Sequence, residues 1–452
     1  MTFTILSIAM VVALLGIHGG VSRYISVYEE RGEYDKLNGY LKFIFRVPVI
    51  TSCLASIILF IFSEQIANFF NFEPVFVSCL KIISFAIPFK VFNEVIYQIF
   101  FAKKKVLIQN IGYNLIEKMI LLAGLLLSLL FGLDIKYIII FLFLSIFITF
   151  LFNYLYLKLK IYFKKSRKVI FDYNDWIMFS LPLFFANMFA FVINWTDNIT
   201  IGKLMTSADL GIYATSFSLA SFLIFFQTSF YGIFIPIISR LYAKNNKKTI
   251  GMIYQKAQNW IFGLSLPFAL VFVFFASDIL KLFYGEPFLI GANPLKILTL
   301  GLLFSIYPGM NPVLLRVMKK NNYLFKVRVV VSILNLGLNI ILIGLFGIIG
   351  AAISTAFVFV VEQIVYVFKV KKYVKIKYDF ISDTKILLIG LILIMIIKFI
   401  LMVAGIVLSL PLLILISVLY LISYIIIIIW AKILNKDDQL IFSGLIGNGK
   451  YE

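Results

Sequence analysis

The sequence predicts an all-α, polytopic membrane protein, and three observations support this prediction. Of the 452 residues, 62% are hydrophobic and only 14% are charged, whereas soluble domains are about half apolar and a quarter charged. Apolar runs of about 20 residues, long enough to span a bilayer as a helix, recur along the whole chain. The basic residues gather in short loops between these runs. The net charge of +20 therefore indicates positive-inside topology and contact with anionic headgroups rather than nucleic-acid binding.

Thirteen spanning helices are predicted from the apolar runs. Each run approaches or exceeds the roughly 20 residues that a helix needs to cross the hydrocarbon core. Polar or glycine-containing segments separate most successive runs. The predicted helix cores are 1–22, 43–63, 78–101, 107–131, 137–158, 177–200, 211–236, 253–276, 292–316, 326–346, 348–369, 386–405 and 411–431.

The loops between these helices alternate in charge, and this alternation predicts the orientation of the chain. Loops rich in Lys and Arg belong on the cytoplasmic side of a membrane. We therefore expect a multi-pass protein of the cytoplasmic membrane, with a cytoplasmic C-terminus and with Met1 outside. The basic loops are 103–105, 158–168, 240–248, 319–320 and 369–377, and the loops poor in Lys and Arg are 64–77, 132–136, 202–211 and 405–411.

An internal repeat relates the two halves of the chain. Arg23 and Arg240 stand 217 residues apart at corresponding helix ends, and Lys104 and Lys319 stand 215 residues apart in corresponding loops. Short apolar matches recur by chance in a sequence so rich in apolar residues. Matches at loop positions with a nearly constant offset do not. The loop charges keep their sign from one half to the other, so we expect parallel rather than inverted repeats.

The repeat also predicts the domain organisation. The second copy starts with the helix 177–200, and the counterpart of this helix in the first copy would precede residue 1. We therefore expect two six-helix-type lobes, the first lacking its first helix, followed by two further helices. The predicted segments are an N-terminal lobe at 1–158, a basic cytoplasmic linker at 159–176, a C-terminal lobe at 177–370, a cytoplasmic loop at 371–385, an extra helix pair at 386–431 and a cytoplasmic tail at 432–452.

No motif indicates catalysis or cofactor binding. The chain lacks a phosphate-binding G-x-x-x-x-G-K-[ST] loop, and its short loops leave little room for the paired carboxylates of a membrane glycosyltransferase. Cys53, Cys79 and His18 lie in or beside apolar helices, without the spacing of a metal site. The chain is therefore predicted to be neither an enzyme nor dependent on a cofactor or metal.

Charged residues inside the apolar helices are the candidate functional residues. A charge in lipid is costly, so such residues normally face a bundle interior or a wet cavity. We expect a mixed-charge cavity between the two lobes, with basic groups that suit a phosphate and with acids as counter-charges or cation sites. The residues inside the helices are Lys90, Glu94, Glu117, Lys118 and Asp197.

Asp197 belongs to the stretch Ser180–Gly211, which opens the second repeat and ends in a short glycine-containing turn. Because the corresponding helix of the first repeat would precede residue 1, we expect Asp197 to have no repeat-related partner in this chain. A carboxyl group deep in an apolar helix costs free energy when it faces lipid and has no role. Asp197 is therefore expected to face a polar interior.

Structural roles are the alternative for several of these polar residues. Lys90 and Glu94 lie one turn apart and can form an intrahelical ion pair. Asn335 and Asn339 have i, i+4 spacing and can join helices through hydrogen bonds. Arginines near cytoplasmic helix ends suit interfacial anchoring. The arginines concerned are Arg23, Arg240, Arg316 and Arg328.

Three segments resemble a known family. They are S-R-Y…Y-E-E-R-G-E from Ser22 to Glu33, N-W-T-D-N-I-T-I-G-K-L…A-D-L-G-I-Y-A from Asn194 to Ala214, and F-G-I-I-G-A-A-I-S-T-A from Phe346 to Ala356. Over essentially its whole length, the chain is similar to polysaccharide biosynthesis proteins. These lipid-linked oligosaccharide flippases belong to the multidrug/oligosaccharidyl-lipid/polysaccharide (MOP) exporter superfamily, which also contains the MATE drug exporters.

The resemblance implies a MATE-like fold of two six-helix lobes, with two extra C-terminal helices, around a central cavity. It implies alternating-access transport of a polyprenyl-(pyro)phosphate-linked oligosaccharide across the cytoplasmic membrane, for O-antigen or other surface glycans. The implied partners are this lipid-linked glycan, membrane lipids, and the glycosyltransferases and polymerase of a glycan pathway, with no nucleic acid. The candidate cavity cations for the pyrophosphate are Arg23, Arg46, Lys90, Lys118, Arg240 and Arg316.

Two other functions stay open beside a lipid-linked oligosaccharide flippase. A MATE-like, cation-coupled exporter of small molecules would bind Na⁺ or H⁺ at Asp197 and Glu94. A membrane scaffold within a glycan assembly complex would need none of the cavity charges. The family resemblance and the extra helix pair favour the flippase.

Overall fold

The computed structural model describes residues 2–103, 105–164, 168–243, 246–308, 310–318, 320–376, 380–406 and 408–430. Every regular element among these residues is helical. The chain divides into two compact units, Met1–Trp195 and Thr196–Glu452. The boundary falls inside one long helix, so the two ends of that helix are described with different units.

The first unit contains helices α1 to α9 and the beginning of α10. A π-helical turn at Ile111–Ile116 joins α7 to α8 without a break in the helix. The helices are α1 (Thr2–Leu14), α2 (His18–Glu30), α3 (Tyr34–Ile61), α4 (Ser63–Phe69), α5 (Pro74–Ser84), α6 (Ala86–Ala102), α7 (Val106–Asn110), α8 (Glu117–Leu130), α9 (Ile135–Lys160) and α10 (Tyr173–Leu204).

A glycine bend separates α1 from α2 and makes room for α10. Gly16 has φ +72°, and a Cβ atom at this position would lie 2.3 Å from the carbonyl oxygen of Ser180. Only glycine tolerates both the left-handed backbone and this close approach. The bend thus lets one span, Thr2–Glu30, lie directly against the backbone of α10.

The start of α10 is packed against α2 and α3 by aromatic side chains. The Trp176 indole is fully buried, and its Nε1 donates a hydrogen bond to the Tyr28 hydroxyl over 3.0 Å. The ring of Tyr40 meets Trp176 edge-on at 5.2 Å, an arrangement that aromatic pairs favour. The Tyr24 hydroxyl donates to Oδ2 of Asp175 over 2.8 Å. These contacts attach the end of the predicted linker to α2 and α3 of the first unit.

The second unit contains the end of α10 and helices α11 to α20. A 3₁₀ turn at Glu286–Gly291 leads into α15. The helices are α11 (Ser207–Ser221), α12 (Leu223–Ala243), α13 (Lys247–Phe274), α14 (Ala276–Tyr284), α15 (Ala292–Ile306), α16 (Asn311–Val317), α17 (Asn321–Phe346), α18 (Ile348–Lys371), α19 (Phe380–Val403) and α20 (Leu410–Trp430).

Glycines set the close packing around α18. Gly347 has φ +58° and turns the chain sharply between α17 and α18. A Cβ atom on Gly350 would lie 1.9 Å from the Leu342 carbonyl oxygen, and one on Gly301 of α15 would lie 2.4 Å from Cβ of Ala356. Because these positions lack side chains, α18 packs backbone to backbone against both neighbours. This packing brings the polar side chains of α17 and α18 into contact.

The membrane spans agree with the sequence prediction. Within the described residues, ten helices are long and apolar enough to cross a membrane, or twelve if each of two bent pairs is one span. The bends measure 44° between α5 and α6 and 43° between α11 and α12. These twelve segments coincide with twelve of the predicted helix cores, and the 32-residue helix α10 contains the other one, 177–200. The prediction of an all-α, polytopic membrane fold is confirmed.

The finer domain boundaries stay predictions. The predicted linker, 159–176, includes the end of α9 and the beginning of α10. The predicted tail, 432–452, lies outside the described residues. The extra helix pair corresponds to α19 and α20, which follow α18 in the second unit.

Candidate functional site

The first unit buries an ion pair between two of its spans. Nζ of Lys90 on α6 lies 2.8 Å from Oε1 and 2.9 Å from Oε2 of Glu117 on α8. The side chains are only 13% and 5% exposed, so both charges are largely removed from solvent. Glu117 lies ten residues into the 24-residue span Leu107–Leu130. The pair therefore places a fully formed charge interaction near the middle of a membrane-spanning helix.

Other polar groups surround this pair. Lys118 is 56% exposed, and its Nζ lies 3.9 Å from Glu117. The Tyr113 ring lies 5.2 Å from Nζ of Lys90 and 5.8 Å from Nζ of Lys118, so both ammonium groups are within cation–π distance of one ring. Glu94 is half-buried one turn beyond Lys90 and interacts electrostatically with Lys90 and Glu117. These five residues form what we call the Lys90 charge group.

The partner of Lys90 differs from the one suggested by helical spacing. The intrahelical pair predicted for Lys90 and Glu94 is wrong as the main contact, because the lysine extends across to α8 and binds Glu117 through both carboxylate oxygens. Local spacing shows which residues share a helix face but not which neighbouring helix competes for them. A two-oxygen contact with a buried carboxylate satisfies the ammonium group better than an i, i+4 contact.

The Lys90 charge group lies beside a buried amide pair. Nδ2 of Asn153 on α9 donates to Oδ1 of Asn93 over 2.8 Å, and Nδ2 of Asn93 donates to the Ile146 carbonyl over 3.2 Å. Gly112, in the π-helical turn, approaches Asn153 so closely that a Cβ atom would lie 2.7 Å from its Oδ1. The turn that precedes Glu117 is thus packed against α9 through the amide pair.

The second unit buries a different polar group around Asp197 at the end of α10. The Asp197 side chain is 6% exposed and accepts hydrogen bonds from the Tyr213 hydroxyl, from Nδ2 of Asn339 over 2.5 Å and from Oγ1 of Thr355 over 2.6 Å. Asn335 joins the group by accepting from Nδ2 of Asn339 over 3.2 Å. We call these residues the Asp197 cluster.

The Asp197 cluster consists of one carboxylate and neutral oxygen- and nitrogen-bearing groups from four helices. The two asparagines join helices through hydrogen bonds, as their i, i+4 spacing suggests. Asn335 contacts Ser354 and Thr355 of α18, and Asn339 donates to Asp197 of α10. Oδ1 of Asn339 is buried without a hydrogen bond. Carboxylate, amide and hydroxyl oxygens are the ligands that hard cations prefer. The cluster therefore has the chemistry of a site for a proton or a small cation.

The other predicted site residues are spread over both units. Arg23 is exposed on α2, with its guanidinium 4.6 Å from the Phe179 ring. Arg46 is exposed in the middle of α3, and Arg316 is exposed on α16. The side chain of Arg240 lies outside the described part. Arg23, Arg46 and Arg316 have no contact with the described members of the Lys90 charge group or of the Asp197 cluster.

Sequence reasoning missed several members of these groups. Tyr113, Tyr213 and Thr355 carry no formal charge, and one tyrosine among 24 gives no signal in a helix rich in aromatics. Arg328, which is expected from the sequence to anchor a helix end at the interface, forms an ion pair with Glu362 at 3.6 Å. Within the described residues, no cluster of three or more His, Cys, Asp or Glu side chains has the arrangement of a metal site.

Two archaeal proteins are similar to this chain in sequence. The probable low-salt glycan biosynthesis flippase Agl15 of Haloferax volcanii is 24% identical over 216 residues, which cover 48% of this chain and 44% of that protein. An uncharacterized membrane protein of Methanocaldococcus jannaschii is 27% identical over 165 residues, which cover 36% of this chain and 32% of that protein. The aligned part thus spans less than half the length of either relative.

Two solved structures have a similar fold. The lipid II flippase MurJ, in an inward closed conformation, matches with a TM-score of 0.70 at 18% identity, over 94% of this chain and 90% of MurJ. A multidrug resistance MATE family transporter of the MOP superfamily, in an inward-facing conformation, matches with a TM-score of 0.67 at 14% identity, over 82% and 89% of the two chains. At these identities the likeness establishes the fold.

The family is established by a longer sequence match. The profile of a family described as polysaccharide biosynthesis protein matches residues 2–292, well over half of the chain. The match runs from α1 through the first helices of the second unit and includes both the Lys90 charge group and Asp197. The match confirms the predicted relationship: this chain belongs to the polysaccharide biosynthesis protein family.

Proposed function

We propose that this protein flips a polyprenyl-(pyro)phosphate-linked oligosaccharide across the cytoplasmic membrane by alternating access, for the assembly of a surface polysaccharide or glycan. The observation that carries the proposal is the Lys90 charge group, which contains two ammonium groups on two neighbouring membrane-spanning segments of a polysaccharide biosynthesis protein. A charged group at this depth is costly to bury, and charged residues that occur inside membrane spans mark substrate or ion pathways. A phosphate is the part of a lipid-linked glycan that an ammonium group binds.

The name of the similar Haloferax protein supports the same substrate class. Agl15 is described as a probable glycan biosynthesis flippase, and it is similar over about half of this chain. A lipid-linked glycan needs a path for a charged, sugar-bearing headgroup, whereas its prenyl chain can stay in the lipid. The orientation that we propose places the basic loops and the C-terminus in the cytoplasm, where the glycosyltransferases that build such a glycan work.

The proposal is tested by deleting the gene and analysing the membrane lipids. We expect lipid-linked glycan to build up on the cytoplasmic face, because its synthesis continues while its export stops. Wild-type protein should reverse the build-up, and the Lys90→Gln variant should fail to do so. The Lys81→Gln variant is the matched control, because Lys81 forms an exposed pair with Glu64 in the same unit. Unchanged lipid-linked glycan on both membrane faces would refute the proposed function.

A second candidate function, export coupled to a cation, is favoured by the Asp197 cluster. We infer that its carboxylate takes up Na⁺ or H⁺, since neutral oxygen-bearing groups surround it. Coupling of this kind is compatible with a flippase and with a MATE-like small-molecule exporter. Transport of the lipid-linked glycan in proteoliposomes, compared with transport of a cationic dye, separates these alternatives.

A further inference from the structure

The carboxylate of Glu117 occupies the position that an anionic ligand of Lys90 would need. Both of its oxygens accept hydrogen bonds from the Lys90 ammonium group, at 2.8 and 2.9 Å. The Lys90 side chain is only 13% exposed, so little of its charge faces any other space. A phosphate can therefore reach this ammonium group only if Glu117 moves away or shares it.

An unusual helical turn directly precedes Glu117. The six residues before it, Ile111–Ile116, form a π-helical turn inside an otherwise continuous span. π-helical turns are rare and occur often at functional sites. One residue of an α-helix corresponds to about 100° of rotation. Tightening of the π turn to α geometry would therefore rotate Glu117 away from Lys90 without unfolding the span.

The charges around the Glu117 carboxylate suit a phosphate. Nζ of Lys90 and Nζ of Lys118 lie 2.8 and 3.9 Å from the same oxygen, Oε1 of Glu117, so the two ammonium groups are close to one another. The pyrophosphate of a lipid-linked sugar carries two negative charges, one on each phosphate, whereas the Glu117 carboxylate carries one charge. A doubly charged group can thus replace the carboxylate at this position, and a singly charged group has no such advantage.

We propose that Glu117 is an internal counter-anion, which exchanges with the phosphate group of the substrate at Lys90 as the π-helical turn rearranges. Glu117 then determines specificity, because it excludes weak anions and neutral lipids from the lysine. It also keeps the buried ammonium group paired in the absence of substrate. This inference rests on the proposed function, since it takes the substrate to be a phosphate-bearing lipid.

The exchange is tested by ligand binding to the purified, full-length protein in detergent. The probes are a short-chain prenyl diphosphate and inorganic pyrophosphate, which distinguish a lipid headgroup from a free anion. We expect the Glu117→Gln variant to bind the prenyl diphosphate at least about tenfold more tightly than wild type, because the competitor for one charged hydrogen bond is removed. The Glu64→Gln variant, which alters an exposed carboxylate of the same unit, should bind like wild type.

A second measurement uses the wild-type protein and so does not depend on the folding of a variant. Carbodiimide labelling of Glu117, read by mass spectrometry, should rise several-fold when the prenyl diphosphate saturates the protein, because the carboxylate leaves the lysine. Labelling of Glu64 should stay the same. Constant or lower labelling of Glu117 with ligand bound would overturn the exchange.

The outcomes separate this inference from the proposed function. If Lys90→Gln abolishes prenyl diphosphate binding while Glu117→Gln binds no more tightly than wild type, the exchange is refuted and the anion site stands. If Lys90→Gln binds like wild type, the phosphate does not use Lys90, and the inference is refuted whatever Glu117 does. The lipid analysis of the deletion strain tests the flippase function independently of either binding result.

Discussion

The Lys90 charge group of the first unit and the Asp197 cluster of the second unit both hold a carboxylate away from water, but with different partners. Glu117 faces an ammonium group, whereas Asp197 accepts hydrogen bonds from two hydroxyls and an amide. An ion pair offers a cation to an anionic ligand once the carboxylate moves. A carboxylate among neutral groups has no internal cation, so a proton or a small cation can take that place. The two units thus contain complementary chemistry.

The Lys90 charge group and the Asp197 cluster also differ in backbone conformation, because one contains a π-helical turn and the other lies on regular helices. The π-helical turn precedes Glu117, whereas the asparagines that contact Asp197 lie in the regular 26-residue helix α17. Since a π turn can tighten to the α conformation, the backbone before Glu117 has a second conformation that would move the carboxylate. The second group is positioned by close packing between α17 and α18.

The largest expected effect is the loss of the ion pair. Lys90→Met leaves the Glu117 carboxylate buried without its cation, which costs about 3–5 kcal/mol of stability. The double variant Lys90→Met with Glu117→Leu should recover most of that loss, because neither charge then remains, yet it should not restore glycan export. Thermal unfolding and complementation of the deletion strain measure the two effects. A double variant as unstable as Lys90→Met would show that the pair is not the source of the loss.

A smaller effect is expected from neutralising the second carboxylate. Asp197→Asn keeps the shape but directs an NH₂ group at one of the present donors, which should cost about 1–3 kcal/mol for the donor left unpaired. Any dependence of transport on Na⁺ or on a proton gradient should disappear. Asp134→Asn, at an exposed position, should change stability by less than about 0.5 kcal/mol. Cation dependence that survives in Asp197→Asn would exclude the cluster as the coupling site.

Two glycine substitutions, of which Gly337→Ala has the smallest expected effect, test the backbone contrast directly. Gly112→Ala places a Cβ atom 2.7 Å from Asn153 Oδ1 and should cost about 1–3 kcal/mol through overpacking. Gly337→Ala on α17 meets nothing within 4 Å and should stabilise the helix by up to about 1 kcal/mol. Thermal unfolding compares them under identical conditions. Equal effects of the two substitutions would mean that the π turn is not a tightly packed element.

Hydropathy alone was sufficient to predict the spans, because a bilayer requires long apolar helices that satisfy their own backbone. The sequence also indicates that Asp197 faces a polar interior, since a carboxylate deep in an apolar helix is costly when it faces lipid. It could not identify the partner of Lys90, because Glu117 is 27 residues away on another helix. Thr355 and Tyr213 carry no charge, so their burial in an apolar helix does not predict a partner on another helix. Long-range contacts of this kind depend on helix packing, which local periodicity does not encode.

The tight glycine turn at Gly347 has a consequence for how the protein enters the membrane. Asn335 would be an unfavourable residue if α17 inserted alone, but Ser354 and Thr355 on α18 accept its amide hydrogen bonds. The turn brings these groups together as soon as α18 leaves the ribosome. We therefore expect α17 and α18 to insert as one hairpin, so that the polar groups that later surround Asp197 are already paired during biosynthesis.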